Sequence, residues 1–385
     1  MTRTIMEAYR QSAQVSLKQA CGLPFAVYHD PAVYEAEVEQ VFLNDWIFAC
    51  AADRLAIAGD YFAMDIAGEP LILIKGQDGE LRALSNSCRH RGTPLLEQGF
   101  GRLSKNIVCP YHAWTFDDKG SFRGAPLTGD VVIEKDEHCL ARFAVASWNG
   151  LIFVNLSDSP LPFAEKIAGV DDYLSLFELQ RFQYSYQMPV EHWQCNWKLA
   201  VENGIESYHL FKVHKQTLET TTPSKQAYYV AGNAEWALTG GTIKDKRNSV
   251  TKWLSGYYPE ICHHYLLLFL PPSFIAVITC DGLNWIQILP QGPEQCRLVP
   301  GGLLEQKVSD YRSPEFQFVE AFLAEDRNIC ERVQGGMRSR KSQGGKLVSM
   351  EKILVDFRQY LSSRLFQTVP DGFVETERAA VFLKL

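Results

Sequence analysis

SNSCRHRGTPLLEQGFGRLSKNIVCPYHAW, residues 85–114, carries two Cys–His pairs: Cys88 with His90, then Cys109 with His112. Each arm offers one thiolate and one imidazole. That supply suits a [2Fe–2S] cluster held by two Cys on one iron and two His on the other. Zinc also takes two Cys and two His, but a structural finger groups Cys with Cys and His with His along the chain. The mixed order here favours iron–sulfur.

Outward from these arms the chain reads as short strands and turns from residue 47 to 156: YFAMDIAG, PLILIKG, a turn at Gln77-Asp78-Gly79, then LRALSN. Trp114 and Phe116 follow the second arm and are expected to wall the cluster. Asp117-Asp118-Lys119-Gly120 reads as a hairpin turn. Arg89, Arg91 and Tyr111 are candidates for contacts near the cluster or at a subunit surface. WNGLIFVNL closes this part at Leu156, and SDSPLP marks the exit. Before it, residues 5–20 read as a polar helix and 31–44 as an amphipathic one, with Val33, Val38, Val41 and Phe42 inward and Asp30-Pro31 as its start.

A second constellation lies in NWKLAVENGIESYHLFKVH, residues 196–214, read as a helix. His209 and His214 are five apart, and Glu206 lies three before His209, on one helical face. For both imidazoles to reach one metal, the helix must loosen or end between them. Two His and a carboxylate from elsewhere make the facial triad of a non-haem Fe(II) oxygenase.

CRHRG and CPYHAW, with Asn196-Trp197-Lys198, Glu202-Asn203, Glu206, Tyr208-His209 and His214, resemble the oxygenase α subunits of the Rieske-type non-haem iron oxygenases. The likeness spans nearly the whole chain. Eighteen residues separate His90 from Cys109, longer than the family's usual spacing, and a loop at 99–104 absorbs the excess. The resemblance assigns Cys88, His90, Cys109 and His112 to the cluster and His209 and His214 to iron. It gives Glu206, with Asn203 beside it, the bridging role between a neighbouring subunit's cluster and this iron. Asp is the commoner bridge; Glu here is similar to the carnitine and choline monooxygenase branch. The third iron ligand it implies is Asp326, in the helix 314–336, with Glu325 and Glu331 as runners-up.

That resemblance implies an α+β chain: an all-β Rieske [2Fe–2S] domain (47–156) and a helix-grip catalytic domain with an antiparallel sheet (157–385), with N-terminal helices (1–46) packed on the latter. Strands at YYVAGN, HHYLLLFL, SFIAVITC, NWIQILP and CRLVPGGLL, with turns at Pro271-Pro272-Ser273 and Asp281-Gly282, fit such a sheet. His263 and His264 are adjacent, so on a strand they point to opposite sides and are not read as ligands. Tyr228, Tyr229, Trp236, Trp253, Tyr257, Tyr258, Tyr265 and Trp285 are candidate pocket aromatics. A final amphipathic helix begins at Ser349.

The 385 residues are 22% charged and 46% apolar, with a formal net charge of -7. That balance argues against a general nucleic-acid or membrane-surface binder. The N-terminus has no continuous apolar core of a signal peptide, so a cytoplasmic enzyme is expected. Of ten cysteines, two are read as ligands and eight as reduced thiols. No Gly-rich dinucleotide fingerprint is evident, so NAD(P)H is expected to bind a separate flavin/iron–sulfur reductase or ferredoxin system. The reading is a homotrimeric terminal oxygenase that passes electrons from the cluster to Fe(II) and activates O2. Its substrate is a small molecule, a quaternary ammonium compound being favoured and an aromatic acid the alternative. A pure Rieske ferredoxin would need only about the first third of the chain and would have no use for the histidine pair; a structural zinc protein is separated by iron and acid-labile sulfide analysis.

Overall fold

The computed structural model describes residues 2–244, 260–308, 310 and 312–367, so Trp253, Tyr257 and Tyr258 lie outside the described residues. The chain forms two compact units, Phe42–Phe163 and Met1–Val41 with Ala164–Leu385.

The first unit is built of strands, with short 3-10 turns at Ala52–Leu55 and Asp136–His138. It holds β1 (Ile47–Ala51), β2 (Asp60–Ile66), β3 (Glu69–Lys75), β4 (Leu81–Ser85), β5 (Gly99–Arg102), β6 (Ile107–Val108), β7 (Thr115–Phe116), β8 (Phe122–Gly124), β9 (Arg142–Trp148) and β10 (Leu151–Asn155). Seven of them make one sheet in the order β1-β10-β9-β4-β3-β2-β5, and β6-β7-β8 make a small second sheet. Apolar residues from both sheets share a core: Ile72, Ile74, Leu84, Ile107, Phe116 and Phe122 pack with Cys88, Cys109 and Trp114. Each fully buried aliphatic or aromatic side chain there stabilises by roughly 1.5–3 kcal/mol. The two arms therefore spring from a rigid core. The expected turns are in place, with Gly79 and Gly120 at positive φ, which glycine adopts without penalty.

The second unit has β11 (Tyr184–Gln187), β12 (Glu191–Trp193), β13 (Tyr228–Gly232), β14 (Ala237–Thr242), β15 (His264–Leu270), β16 (Phe274–Thr279), β17 (Gly282–Gly292) and β18 (Gln295–Leu304). The antiparallel order is β11-β18-β17-β16-β15-β14-β13, with β12 also on β18. β15 is buried along its whole length. Helix Trp197–Ile205 packs on β16, β17 and β18, helix Lys352–Phe366 on β13 and β14, and helix Pro314–Gly336 against Trp197–Ile205.

Several expectations need correction. The first helix is Thr2–Ala13. The second is α-helical over Pro31–Glu37 and continues as a π turn, Val38–Phe42; Asp30 caps it by accepting from the N–H groups of Ala32 and Val33, and all four predicted inward residues are buried. His263 ends a 3-10 turn and only His264 enters the strand. Cys262 and Cys280 are not free thiols but a disulfide. The 3-10 turn before β15 and the turn after β16 bring their Cα atoms to 5.2 Å, within disulfide reach.

Candidate metal centres and cavity

The two arms of the first unit are the same loop built twice. Cys88 N–H donates to Thr93 O (2.9 Å) and Gly92 N–H returns to Cys88 O (2.8 Å). Cys109 N–H donates to Trp114 O (2.8 Å) and Ala113 N–H returns to Cys109 O (3.1 Å). The residue four beyond each Cys has left-handed φ, +70° at Gly92 and +55° at Ala113. Both cysteines are buried, while His90 is exposed and His112 half-buried. His90 Nδ1 and His112 Nδ1 face each other at 3.2 Å, so one metal ion could take both nitrogens. Trp114 stacks flat on His90, 4.9 Å between centroids at 5°, so the expected wall is present. Burial pushes the Cys88 thiol up, opposed by backbone N–H groups of His90 and Arg91. At Cys109 burial acts in the same sense, but the N–H groups of Tyr111 and His112, with side-chain hydrogen bonds from Cys88 and Thr93, outweigh it and lower the pKa. The donors, two buried sulfurs and two outer imidazoles, fit a Rieske cluster.

In the second unit the segment 196–214 is not one helix. Asn196 caps it by accepting from Lys198 N–H, and helix Trp197–Ile205 stops at Glu206, whose backbone is extended. Gly204 lies flat on the sheet; a Cβ there would meet Ile275 at 2.7 Å. The Glu206 carboxylate takes the N–H groups of Tyr208 and His209, which a continuing helix would have paired with carbonyls. A short helix, Leu210–Val213, then separates the two histidines. The break thus falls before His209, and Glu206 meets it through a turn rather than along a helical face.

His209, His214 and Asp326 each present one ligand atom, all within 4.8 Å of one another. Asp326 Oδ1 lies 2.9 Å from His214 Nε2 and 3.5 Å from His209 Nε2. The other ring nitrogens are held from behind: His209 Nδ1 by Glu206 (2.6 Å) and His214 Nδ1 by Glu325 (2.7 Å). Such carboxylate–imidazole pairs orient a metal-binding ring and raise its basicity. Burial works against charge on His209, but Asp326 and Glu206 outweigh it and hold its pKa at about 9. His214 is raised likewise against burial, by Asp326 and Glu325. Asp326 is lowered despite burial because both imidazoles favour its charged form. Positive charge is stabilised at this point, and the donor set fits a mononuclear Fe(II).

Glu325 is therefore a holder of His214, further fixed by the Thr217 hydroxyl at 2.6 Å. Glu331 instead accepts from Gln194 N–H. Neither joins the ligand atoms. Asn203, Glu206 and His209 line a cavity of about 320 Å³ and also line a second one of about 460 Å³. Of the candidate aromatics, Tyr265 and Trp285 wall the smaller cavity. Tyr228 bonds His264, Tyr229 bonds Asp356, and Trp236 donates to Ala168 O. Tyr186, Phe318 and Phe322 complete the aromatic wall and were not singled out from sequence. Phe318, Phe322 and Asp326 recur every four residues on one helix, a spacing that could have revealed their shared face.

Residues 45–143 match the Rieske [2Fe-2S] domain, and residues 179–367 match the ring hydroxylating alpha subunit (catalytic domain). The chain belongs to the Rieske-type non-haem iron oxygenases and is an oxygenase α subunit, a terminal component with a Rieske cluster and mononuclear iron. The family draws its electrons from a reductase or ferredoxin and acts on small molecules.

Among its relatives is the glycine betaine monooxygenase oxygenase subunit of Chromohalobacter salexigens, 28% identical over 94% of this chain and 90% of that protein. The carnitine monooxygenase oxygenase subunit of Escherichia coli is 26% identical over 85% of this chain and 87% of its own length. A solved quaternary ammonium Rieske monooxygenase, described for carnitine oxidation and inter-subunit electron transfer, superposes with a TM-score of 0.80 at 22% identity, covering 93% of this chain and 98% of that one. Among the described residues no helix is long and apolar enough to cross a membrane.

Proposed function

We propose that this oxygenase acts on a small quaternary ammonium compound bound in the 320 Å³ cavity, with His209, His214 and Asp326 holding the iron at its edge. Cys88, His90, Cys109 and His112 hold the cluster. When bound, the iron supplies O2 activation with electrons relayed from the cluster. The observation that carries the substrate reading is the cavity wall: Tyr186, Tyr265, Trp285, Phe318 and Phe322 beside the carboxylates of Glu206 and Asp326. Each ring facing an ammonium contributes about 0.5–2 kcal/mol. Among the described residues the lining has no Lys or Arg to repel a cation. Relatives named for betaine and carnitine support the same class.

The chain's own residues orient and exclude. Glu206 and Glu325 fix both imidazole planes, leaving Nε2 of each directed at the metal position. Leu210, Leu267, Ile275 and Val277 keep bulk water from the reacting carbon. Hydroxylation of an N-methyl group would yield a carbinol that breaks at C–N, releasing formaldehyde, a tertiary amine and a proton.

The working assembly is a homotrimer in which one subunit's cluster serves the next subunit's iron, with Glu206 and Asn203 between them. Asn203, Glu206 and His209 also line the second cavity, and the rings of Tyr208 and Phe211, close to them in sequence, are exposed. A heterologous contact of that kind closes into a ring under threefold rotation. Glu206 would then hydrogen-bond a cluster imidazole on one side and His209 on the other.

An O2-uptake screen with a surrogate reductase tests the substrate class. Formaldehyde or a free tertiary amine from a quaternary ammonium compound is the expected result; ring-hydroxylated product from an aromatic acid, with no amine released, would replace the reading. Mixing Cys109→Ser with His209→Ala subunits tests the assembly. Mixed trimers should regain activity, and verified mixed trimers without any would exclude inter-subunit transfer.

A further inference from the structure

One polar pair in the substrate cavity is used by neither metal centre. Tyr186 Oη donates to Asn284 Oδ1 at 2.5 Å, and both residues line the 320 Å³ cavity. They stand on β11 and β17, the strands that flank β18. Tyr186 is paired with Gly302 and Gly302 with Asn284, so the three positions form one row across the sheet. The glycine lets the outer two meet: a Cβ at Gly302 would come within 2.4 Å of the Tyr186 ring, which lies over it and reaches across to Asn284. That contact turns the amide. With Oδ1 taken by the phenol, half-buried Asn284 presents its Nδ2–H2 group, which has no partner among the described residues.

The pair sits at the end of the cavity remote from Asp326. Phe316 packs edge-on against Tyr186, 5.0 Å between centroids at 86°. On helix Pro314–Gly336 it precedes Asp326 by ten residues, about 15 Å along the axis. Phe318 and Phe322 line the cavity between these points. The cavity thus has two unlike ends, the carboxylates of Asp326 and Glu206 at one and a neutral hydrogen-bond donor at the other.

We infer that Asn284 is a specificity residue that donates to an oxygen on the tail of the substrate, with Tyr186 positioning its amide. The substrate, taken as the quaternary ammonium ion proposed above, on which this assignment rests, is then elongated. Its N-methyl end lies at the iron, and its other end carries a hydrogen-bond-accepting oxygen. An analogue without that oxygen would leave the Nδ2–H2 group desolvated and unpaired, and this cost is what discriminates against it.

The test uses enzyme loaded with both metals, a surrogate reductase and two probe series: alkyltrimethylammonium ions of increasing chain length, and methyl ketones of the same lengths. Formaldehyde release gives kcat/KM, and calorimetry gives Kd. At the length that spans the cavity the ketone should be favoured about tenfold in both measures. Asn284→Leu should bring that preference to near one. Asn284→Asp, close in shape but only an acceptor, should turn it toward the hydrocarbon. Tyr186→Phe keeps the ring but releases the amide, so it should lower the preference less than Asn284→Leu does; an unchanged ratio would remove Tyr186 from the assignment. Iron content and the cluster spectrum should be the same in all three variants. Equal handling of the two series by the unaltered enzyme, or a ketone preference that survives in Asn284→Leu, would overturn the role of Asn284 while leaving the quaternary ammonium reading in place. If neither series is bound or demethylated, both fall.

Discussion

The two proposed metal centres are assembled in opposite ways. At the cluster site the ligands come from two short loops, and each loop is closed by the same pair of backbone hydrogen bonds, repeated residue for residue at Cys88 and Cys109. At the mononuclear site the ligands come from a broken helix and from a second helix 112 positions beyond His214, and the rings are held by side-chain carboxylates. A loop that closes over five residues needs only its own turn chemistry. A site that joins distant helices depends on packing, so it needs additional groups to fix its geometry. Sensitivity to substitution should follow this difference.

The largest expected effects are first. Cys109→Ser should eliminate the Rieske EPR signal while mononuclear iron still loads, since a hydroxyl is a poor replacement for a soft thiolate. His214→Ala or Asp326→Ala should remove mononuclear iron and turnover while the cluster spectrum persists. Loss of both metals from either variant would mean the two centres are not independent. Retained iron in Asp326→Ala would reopen the choice of carboxylate.

Next come the two holders. Glu206→Gln and Glu325→Gln should each weaken mononuclear iron binding by about 10–100-fold, read by competition with a chelator. When both variants are saturated with iron, only Glu206→Gln should slow reduction of the iron by a pre-reduced cluster. Equal transfer in the two variants would reduce Glu206 to a holder like Glu325.

The backbone of the cluster arms gives the smallest change. Gly92 has room for a methyl, with Ser87 Oγ at 3.7 Å its nearest neighbour, so Gly92→Ala meets only the left-handed φ. It should destabilise the first unit by about 1–2 kcal/mol. Ala113→Gly, at the matching position of the other arm, should relieve the same strain and stabilise by under about 1 kcal/mol. Denaturant midpoints on cluster-loaded protein would show the opposite signs; shifts in the same direction would break the equivalence of the two loops.

Residue chemistry alone carried the cluster. The proposed cluster ligands Cys88, His90, Cys109 and His112 were legible because a ligand set confined to two tight loops leaves its spacing in the chain. The histidine pair was legible for the same reason, being five residues apart. Glu206 was singled out by resemblance and by its distance from His209, although the helical face invoked for that pairing does not exist: its own carboxylate takes the amides that would have continued the helix. Asp326, Glu325 and Glu331 are all carboxylates on one helix, and nothing in their composition separates a ligand from a holder. Only the angle at which helix Pro314–Gly336 meets His214 does so, turning Asp326 to Nε2 and Glu325 to Nδ1. The cavity wall was likewise decided by the sheet's curvature and register, which brought Tyr265 and Trp285 inward, sent Tyr229 to Asp356, and joined Phe318 and Phe322 from a helix remote in sequence. The chain by itself states which chemistry it carries, because donor types and short spacings are local; which of several like side chains performs it is a matter of long-range packing, and the fold alone settles that.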